Sequence, residues 1–156
     1  MGCSQAGPGD ERDQVARRVA DAVESLASCW FAAAEDVTPH LPVRQLLALR
    51  TIQRRPELNL TALAEDLDVG LPTASRLCDR LETAGLLERS VQPHNRREIR
   101  LVVTARGRRL LADVTEHRVR RMAAVFATMT PGQCAALEQG LFAFHAHADP
   151  GPTTVG

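Results

Sequence analysis

Residues 60–104, LTALAEDLDVGLPTASRLCDRLETAGLLERSVQPHNRREIRLVVT, leave this chain few folds to choose from. Apolar residues return twice at helical spacing, break at Asp68-Val69-Gly70, and give way after Gly85 to two strand-like runs. Leu60, Leu63, Ala64 and Leu67 make one buried stripe, started by Asn59 or Thr61 as N-cap. The next helix runs from Leu71 to Ala84, with Pro72 tolerated in its first turn and Gly85 where a left-handed C-cap is needed. Leu86 to Val91 and Glu98 to Val103 read as strands joined by the polar tip Gln92-Pro93-His94-Asn95-Arg96-Arg97. The pattern predicts a mainly α chain with a small β-ribbon.

The flanks are helical. Val15, Val19, Ala22, Leu26 and Cys29 recur at helical spacing between Glu11 and Ala34, and Pro39 and Pro42 interrupt that helix. A second helix follows from about Pro42 to Arg54, with Val43, Leu46, Leu47 and Leu49 available to a core. Thr104 is the expected N-cap of a long helix to about Met129, with apolar positions at Leu111, Val114, Met122, Val125 and Met129. Thr130-Pro131 opens a last helix to about His145. Residues 1–10 and 149–156 are rich in Gly and Pro and are expected to be disordered tails. With 156 residues, no Tyr, one Trp and four Phe, the chain fits one domain with a Leu/Val/Ala interior, which favours helices.

Every one of the nineteen basic residues is Arg, a planar fork that is always charged, and the net charge is zero. A wholly basic coat is excluded; a local basic face is not. Between Gly70 and Arg100 there are six Arg and four acidic residues. The cysteines at 3, 29, 78 and 134 form no CxxC pair, so neither a metal cluster nor a disulfide framework is expected. No cofactor or metal is expected. No apolar run reaches membrane-span length, no signal-peptide core follows Met1, and the opening MGCSQA lacks the Ser/Thr that a lipidation start wants at its sixth position. The expectation is a cytoplasmic protein without a membrane partner.

On a helical wheel of residues 71–84, Ala74, Leu77, Cys78 and Leu81 face inward. Pro72, Ser75, Arg76, Asp79 and Thr83 fall opposite, with Thr73 and Arg80 on a flank. Hydroxyls and guanidinium groups in the first two turns of an exposed helix suit the reading of base edges in the major groove of double-stranded DNA. Arg76 is the candidate for a bidentate guanine contact, with Asp79 orienting it or accepting from a cytosine amine. Thr73, Ser75 and Arg80 are candidates for phosphates. The bland alternative is that Arg76 and Arg80 pair with Asp79 or Glu82. The ribbon tip supplies a second probe, because Arg96 and Arg97 beside Asn95 on a thin ribbon suit a narrow minor groove.

On these residues the chain resembles the MarR family of bacterial winged helix-turn-helix transcription regulators. The likeness covers about Val15 to Phe144. It is most specific from Leu63 to Arg89 (L-A-E-D-L…A-S-R-L-C-D-R-L-E-x-A-G-L-L-E-R) and in the wing that ends N-R-R-E-I-R-L-V-V-T-x-x-G at Gly107. The resemblance implies a winged helix-turn-helix over 42–104 and a helical dimerisation region over 11–34 and 105–146. It implies Ser75, Arg76 and Arg80 as recognition-helix contacts, and Arg96 as the wing contact. One departure stands out: the family wing usually reads D-P-x-D-R-R, and here two acidic positions are neutral, Gln92 and Asn95. The tip is more basic and lacks a carboxylate to orient its Arg.

A homodimer is also expected from patterning, because the long terminal helices carry apolar stripes that a small wing region cannot cover. Val15, Val19, Leu26, Leu137, Leu141 and Phe144 are the expected interface. The family commonly couples a small-molecule effector or an oxidisable Cys to DNA release. Cys29, Trp30 and His40, near the end of the first helix, are the candidate effector or redox residues. Cys78 reads as a small core residue, Cys134 as core packing with a thiol near a helix start, and His117, His145 and His147 as structural or solvated. The expected function is a sequence-specific regulator, a repressor that reads a pseudo-palindromic operator. The alternative is a winged-helix protein-interaction module that has lost DNA binding. No Ser/His/Asp or Cys/His set and no phosphate-cradling glycine loop supports an enzyme.

Overall fold

The structure is a computed structural model describing residues 8–56, 58–92 and 95–148, with side chains described over 11–56, 58–90 and 99–148. Its elements in chain order are α1 (Pro8–Glu35), α2 (Val43–Arg54), α3 (Leu60–Asp66), α4 (Leu71–Thr83), β1 (Leu87–Gln92), β2 (Asn95–Val103), α5 (Ala105–Phe126) and α6 (Pro131–Ala148). Two compact units divide the chain, Met1–Arg118 and Val119–Gly156.

In the first unit, α2, α3, α4 and the β1–β2 ribbon close on one core. Leu49, Ile52, Leu63, Leu81, Leu86, Leu87 and Leu101 are its largest enclosed side chains. Val37 and Leu41 pin the link between α1 and α2 into the same cluster. Of the apolar residues of α2, Leu46 and Leu49 enter the core, whereas Val43 and Leu47 are about half exposed. A helix of this length buries one stripe, and these two lie off it.

Local chemistry sets the boundaries. Asn59 is the cap of α3, its Oδ1 accepting the Ala62 N–H at 2.9 Å. In the turn, the left-handed residue is Asp68 (φ 49°), and Gly70 stays at φ −66°. α4 ends in a Schellman arrangement around Gly85 (φ 69°). The Gly85 N–H donates to the Glu82 carbonyl at 2.8 Å and the Leu86 N–H to the Leu81 carbonyl at 2.9 Å. Thr104 caps α5 by accepting the Gly107 N–H, and its hydroxyl donates to the Gly85 carbonyl at 2.8 Å. One side chain therefore joins the end of α4 to the start of α5. A capping box of Thr130 and Gln133 starts α6.

Three boundaries differ from expectation. α1 begins at Pro8, so residues 8–10 are helical rather than tail; residues 1–7 and 149–156 lie outside the described residues. α5 stops at Phe126, where Thr128 and Met129 make three-residue turn bonds that lead into the Thr130 cap. β2 begins at Asn95, not Glu98. The antiparallel ribbon pairs Leu87 with Val103 through Val91 with Ile99, then shifts, and Gln92 pairs with Asn95. Between these two pairs β1 advances one residue and β2 four, so among the described residues Arg96, Arg97 and Glu98 have no Cα partner across the ribbon. Pro93 and His94 of the expected tip lie outside the described residues.

Candidate nucleic-acid interface

α4 carries the candidate site, and its orientation follows from its stripe. Ala74, Leu77, Cys78 and Leu81 are buried, which fixes the opposite face outward. Pro72, Arg76, Asp79, Arg80 and Thr83 are exposed, and Thr73 and Ser75 are half-buried beside them. The wheel expected from sequence is the one observed.

The charges on that face pair differently from expectation. Asp79 does not orient Arg76. Its Oδ1 accepts from Arg89 Nη2 of β1 at 2.7 Å, while Arg89 Nη1 donates to Glu82 Oε2 at 2.5 Å. One guanidinium therefore ties two carboxylates of the helix to the root of the ribbon. The Asp79 bond, opposed by partial burial, holds the Arg89 pKa above its ordinary value. Among the described residues, neither Arg76 nor Arg80 forms an ion pair, so the two acidic groups of α4 are satisfied without drawing on either. This arrangement leaves the two outward cations available. It also neutralises carboxylates that would otherwise repel a polyanion.

Arg44, which sequence reasoning missed, joins them. Pro42, Val43, Arg44, Gln45, Thr73, Arg76, Leu77 and Arg80 line an open groove of about 400 Å³ between the start of α2 and α4. Arg44 is the second residue of α2, whose first turn holds no acidic residue and whose Pro42 cap makes no side-chain bond. A cation at a helix N-terminus is opposed by the helix dipole. That misfit was a readable signal, but its proximity to Arg76 and Arg80 across some thirty residues of sequence was not. The three guanidinium groups and two nearby helix starts make a surface for phosphates.

Asn95, Arg96 and Arg97 lie at the start of β2, and their side chains are outside the described residues, as are Pro93 and His94 altogether. Cys78 is enclosed, and burial pushes its thiol pKa up to about 11, against a smaller opposing pull from Arg89. That makes it an inert core thiol rather than a reactive one. Cys29 and Cys134 are half-buried, and Cys134 Sγ lies 3.7 Å from the Phe126 carbonyl oxygen. Cys29 precedes Trp30 in α1, and His40 is exposed in the following loop; no described interaction joins His40 to either. Among the described residues no group of His, Cys, Asp and Glu is placed to hold a metal, and no helix is long and apolar enough to cross a membrane.

Of the expected interface residues, Val15 and Val19 on α1 and Leu141 and Phe144 on α6 are exposed, and Leu26 and Leu137 are half-buried. α1 also exposes Val23 and Phe31, and α6 exposes Phe142. α6 has no buried residue.

Comparison with known proteins agrees with this geometry. Residues 41–99 match the model of the MarR family. The RV1404 protein of Mycobacterium tuberculosis superposes with a TM-score of 0.79 at 28% identity, covering 90% of this chain and 96% of that one. A MarR family protein from Bacillus stearothermophilus superposes at 0.77 with 20% identity, covering 92% and 99%. Streptococcus pneumoniae FabT, solved in complex with DNA, superposes at 0.68 with 17% identity, covering 85% and 96%. No protein of curated function matches the chain.

Proposed function

We propose, from the premise that residues 41–99 carry a MarR-family winged-helix domain, that this chain is a homodimeric repressor that binds double-stranded DNA. The observation that carries the reading is the outward face of α4. Arg76 and Arg80 are exposed there without an ion-pair partner among the described residues, while Arg89 occupies the acidic residues beside them. Arg76 reads a base edge in the major groove, and Arg44, Arg80, Thr73 and Ser75 hold phosphates. The wing, through Arg96 and Arg97 with Asn95, enters the minor groove. FabT, which shares this fold, was solved in complex with DNA, and that supports the DNA-binding reading.

The dimer reading rests on apolar surface. Val15, Val19, Val23 and Phe31 on α1, and Leu141, Phe142 and Phe144 on α6, are all at least two-fifths exposed. Several large apolar side chains left bare on one helix mark an interaction face. A two-fold dimer places its recognition helices about 34 Å apart and reads a pseudo-palindrome. Binding is modulated by a small molecule that enters near Trp30, and no catalytic role is assigned.

The test is Arg76→Ala and Arg96→Ala, each measured against DNA from upstream of the gene and against an unrelated duplex. Loss of preference in Arg76→Ala, together with a steep fall of wild-type affinity with salt, is the expected result. Specific binding that survives both substitutions would overturn the assignment of reading head and wing. Absence of any salt-dependent binding would favour a protein-interaction module.

A further inference from the structure

Among the described residues of α4, one large apolar side chain is left in water. Leu71, the first residue of the helix, is 49% exposed, whereas Leu77, Cys78 and Leu81 further along are buried. It belongs neither to the core cluster nor to the partly buried residues packed against it, among them Leu60 and Leu67 of the neighbouring segment. Leu71 walls an open groove of about 460 Å³ between α3 and the start of α4. The polar side chains lining that groove are Thr61, Glu65 and Asp68, and no basic residue takes part. Another flank of the same helix faces the groove of Arg44, Arg76 and Arg80. α4 therefore has a basic flank suited to phosphates and a flank without cations, where the leucine stands.

The fold gains little from a leucine at this position. Acidic groups stabilise the first turn of a helix, and α4 has none there. An apolar side chain with half its surface in water contributes mainly to whatever covers it. Helical side chains tilt toward the N-terminus, so Leu71 projects ahead of α4. Arg76 follows five residues later, about 7.5 Å along the axis. That separation matches about two base-pair steps of duplex DNA. In the major groove the apolar feature of a base edge is the C5-methyl group of thymine.

We propose that Leu71 is a specificity-determining residue that packs on a thymine C5-methyl group, within about three base pairs of the base that Arg76 reads. The inference rests on the DNA-binding reading above and adds to it the identity of a second base.

The full-length protein first selects its own site from a pool of duplexes with a randomised centre. Each thymine of the recovered sequence is then replaced in turn by uracil, which removes the methyl group and keeps the base pairing. Fluorescence anisotropy gives Kd for wild type, Leu71→Ala and Leu71→Met. In wild type, uracil at one position of each half-site raises Kd about three- to tenfold, the effect of one buried methyl group. Leu71→Met keeps that penalty. Leu71→Ala binds the thymine duplex about as weakly as wild type binds the uracil duplex, and uracil costs it nothing further. All three proteins bind an unrelated duplex alike, because phosphate contacts carry that affinity. The inference is overturned if no uracil weakens wild type, or if Leu71→Ala shows the same uracil penalty. It is also overturned if Leu71→Ala loses affinity for cognate and unrelated duplexes equally, as a general change in the helix would cause. Those results leave the DNA-binding reading standing. Recovery of no sequence from the pool would remove that reading itself, and this inference with it.

Discussion

Gly107→Ala sets helix preference directly against packing. Gly107 is the third residue of α5, where an alanine is intrinsically better than glycine by about 1 kcal/mol. A Cβ at this position, however, would sit 2.3 Å from the Leu86 carbonyl oxygen and 2.7 Å from a Val103 methyl. Neither neighbour gives way easily. Leu86 is fully enclosed and its carbonyl accepts the Thr104 N–H at 3.0 Å, while Val103 is paired with Leu87 across the ribbon. Forcing one methyl into a packed site costs about 1–3 kcal/mol. If the Leu86 peptide turns aside, its buried acceptor loses a partner, for roughly another 1–3 kcal/mol. Against the gain of about 1 kcal/mol, the net loss is on the order of 1–5 kcal/mol. Urea unfolding followed by far-ultraviolet circular dichroism, at equal protein concentration, should show a lower midpoint at unchanged slope. A Gly107→Ala variant as stable as wild type, or more so, would refute the close approach of α5 to the Leu86 peptide.

Three further outcomes are expected. Arg89→Gln frees Asp79 and Glu82 together; the partners are partly solvated, so the stability loss is modest, about 1–2 kcal/mol. Its DNA affinity falls further than that loss explains, because two bare carboxylates now face the phosphates; unchanged binding in a gel-shift titration would discount the clamp. Arg44→Ala weakens binding to cognate and unrelated duplexes alike and lowers the salt slope by about one, and a selective loss on the cognate site would instead make Arg44 a base reader. Cys78 gives the pH dependence. Its folded pKa, about 11, lies above the ordinary 9.0, so the folded protein holds that proton more tightly than the unfolded chain. The contribution is fully present below pH 9.0 and is lost as pH rises toward about 11. Chemical denaturation across that range should fall less steeply for Cys78→Ala, and equal slopes would show that the thiol is not enclosed.

Much of the architecture was written locally in the sequence. The caps at Asn59, Thr104 and Thr130 and the left-handed Gly85 are properties of a few adjacent residues, since orphan backbone groups are satisfied by whatever side chain lies within a turn. The outward face of α4 was equally legible, because Ala74, Leu77, Cys78 and Leu81 keep strict helical spacing and leave one possible orientation. Tertiary structure decided what those surfaces meet. Asp79 is ten residues from Arg89 in sequence, beyond any spacing within a helix, so only the return of β1 against α4 shows that it serves the ribbon and not Arg76. Arg44 meets Arg76 and Arg80 only once α2 and α4 pack, and Trp30 meets Arg118 across eighty-eight residues. Gly107 was visible as a letter in a motif, but its necessity lies in the carbonyl of Leu86, supplied by another element. Periodicity and capping act within one or two turns and can be read along the chain. Charge pairing and close approach depend on distances in space, and those exist only after the core has brought distant elements together.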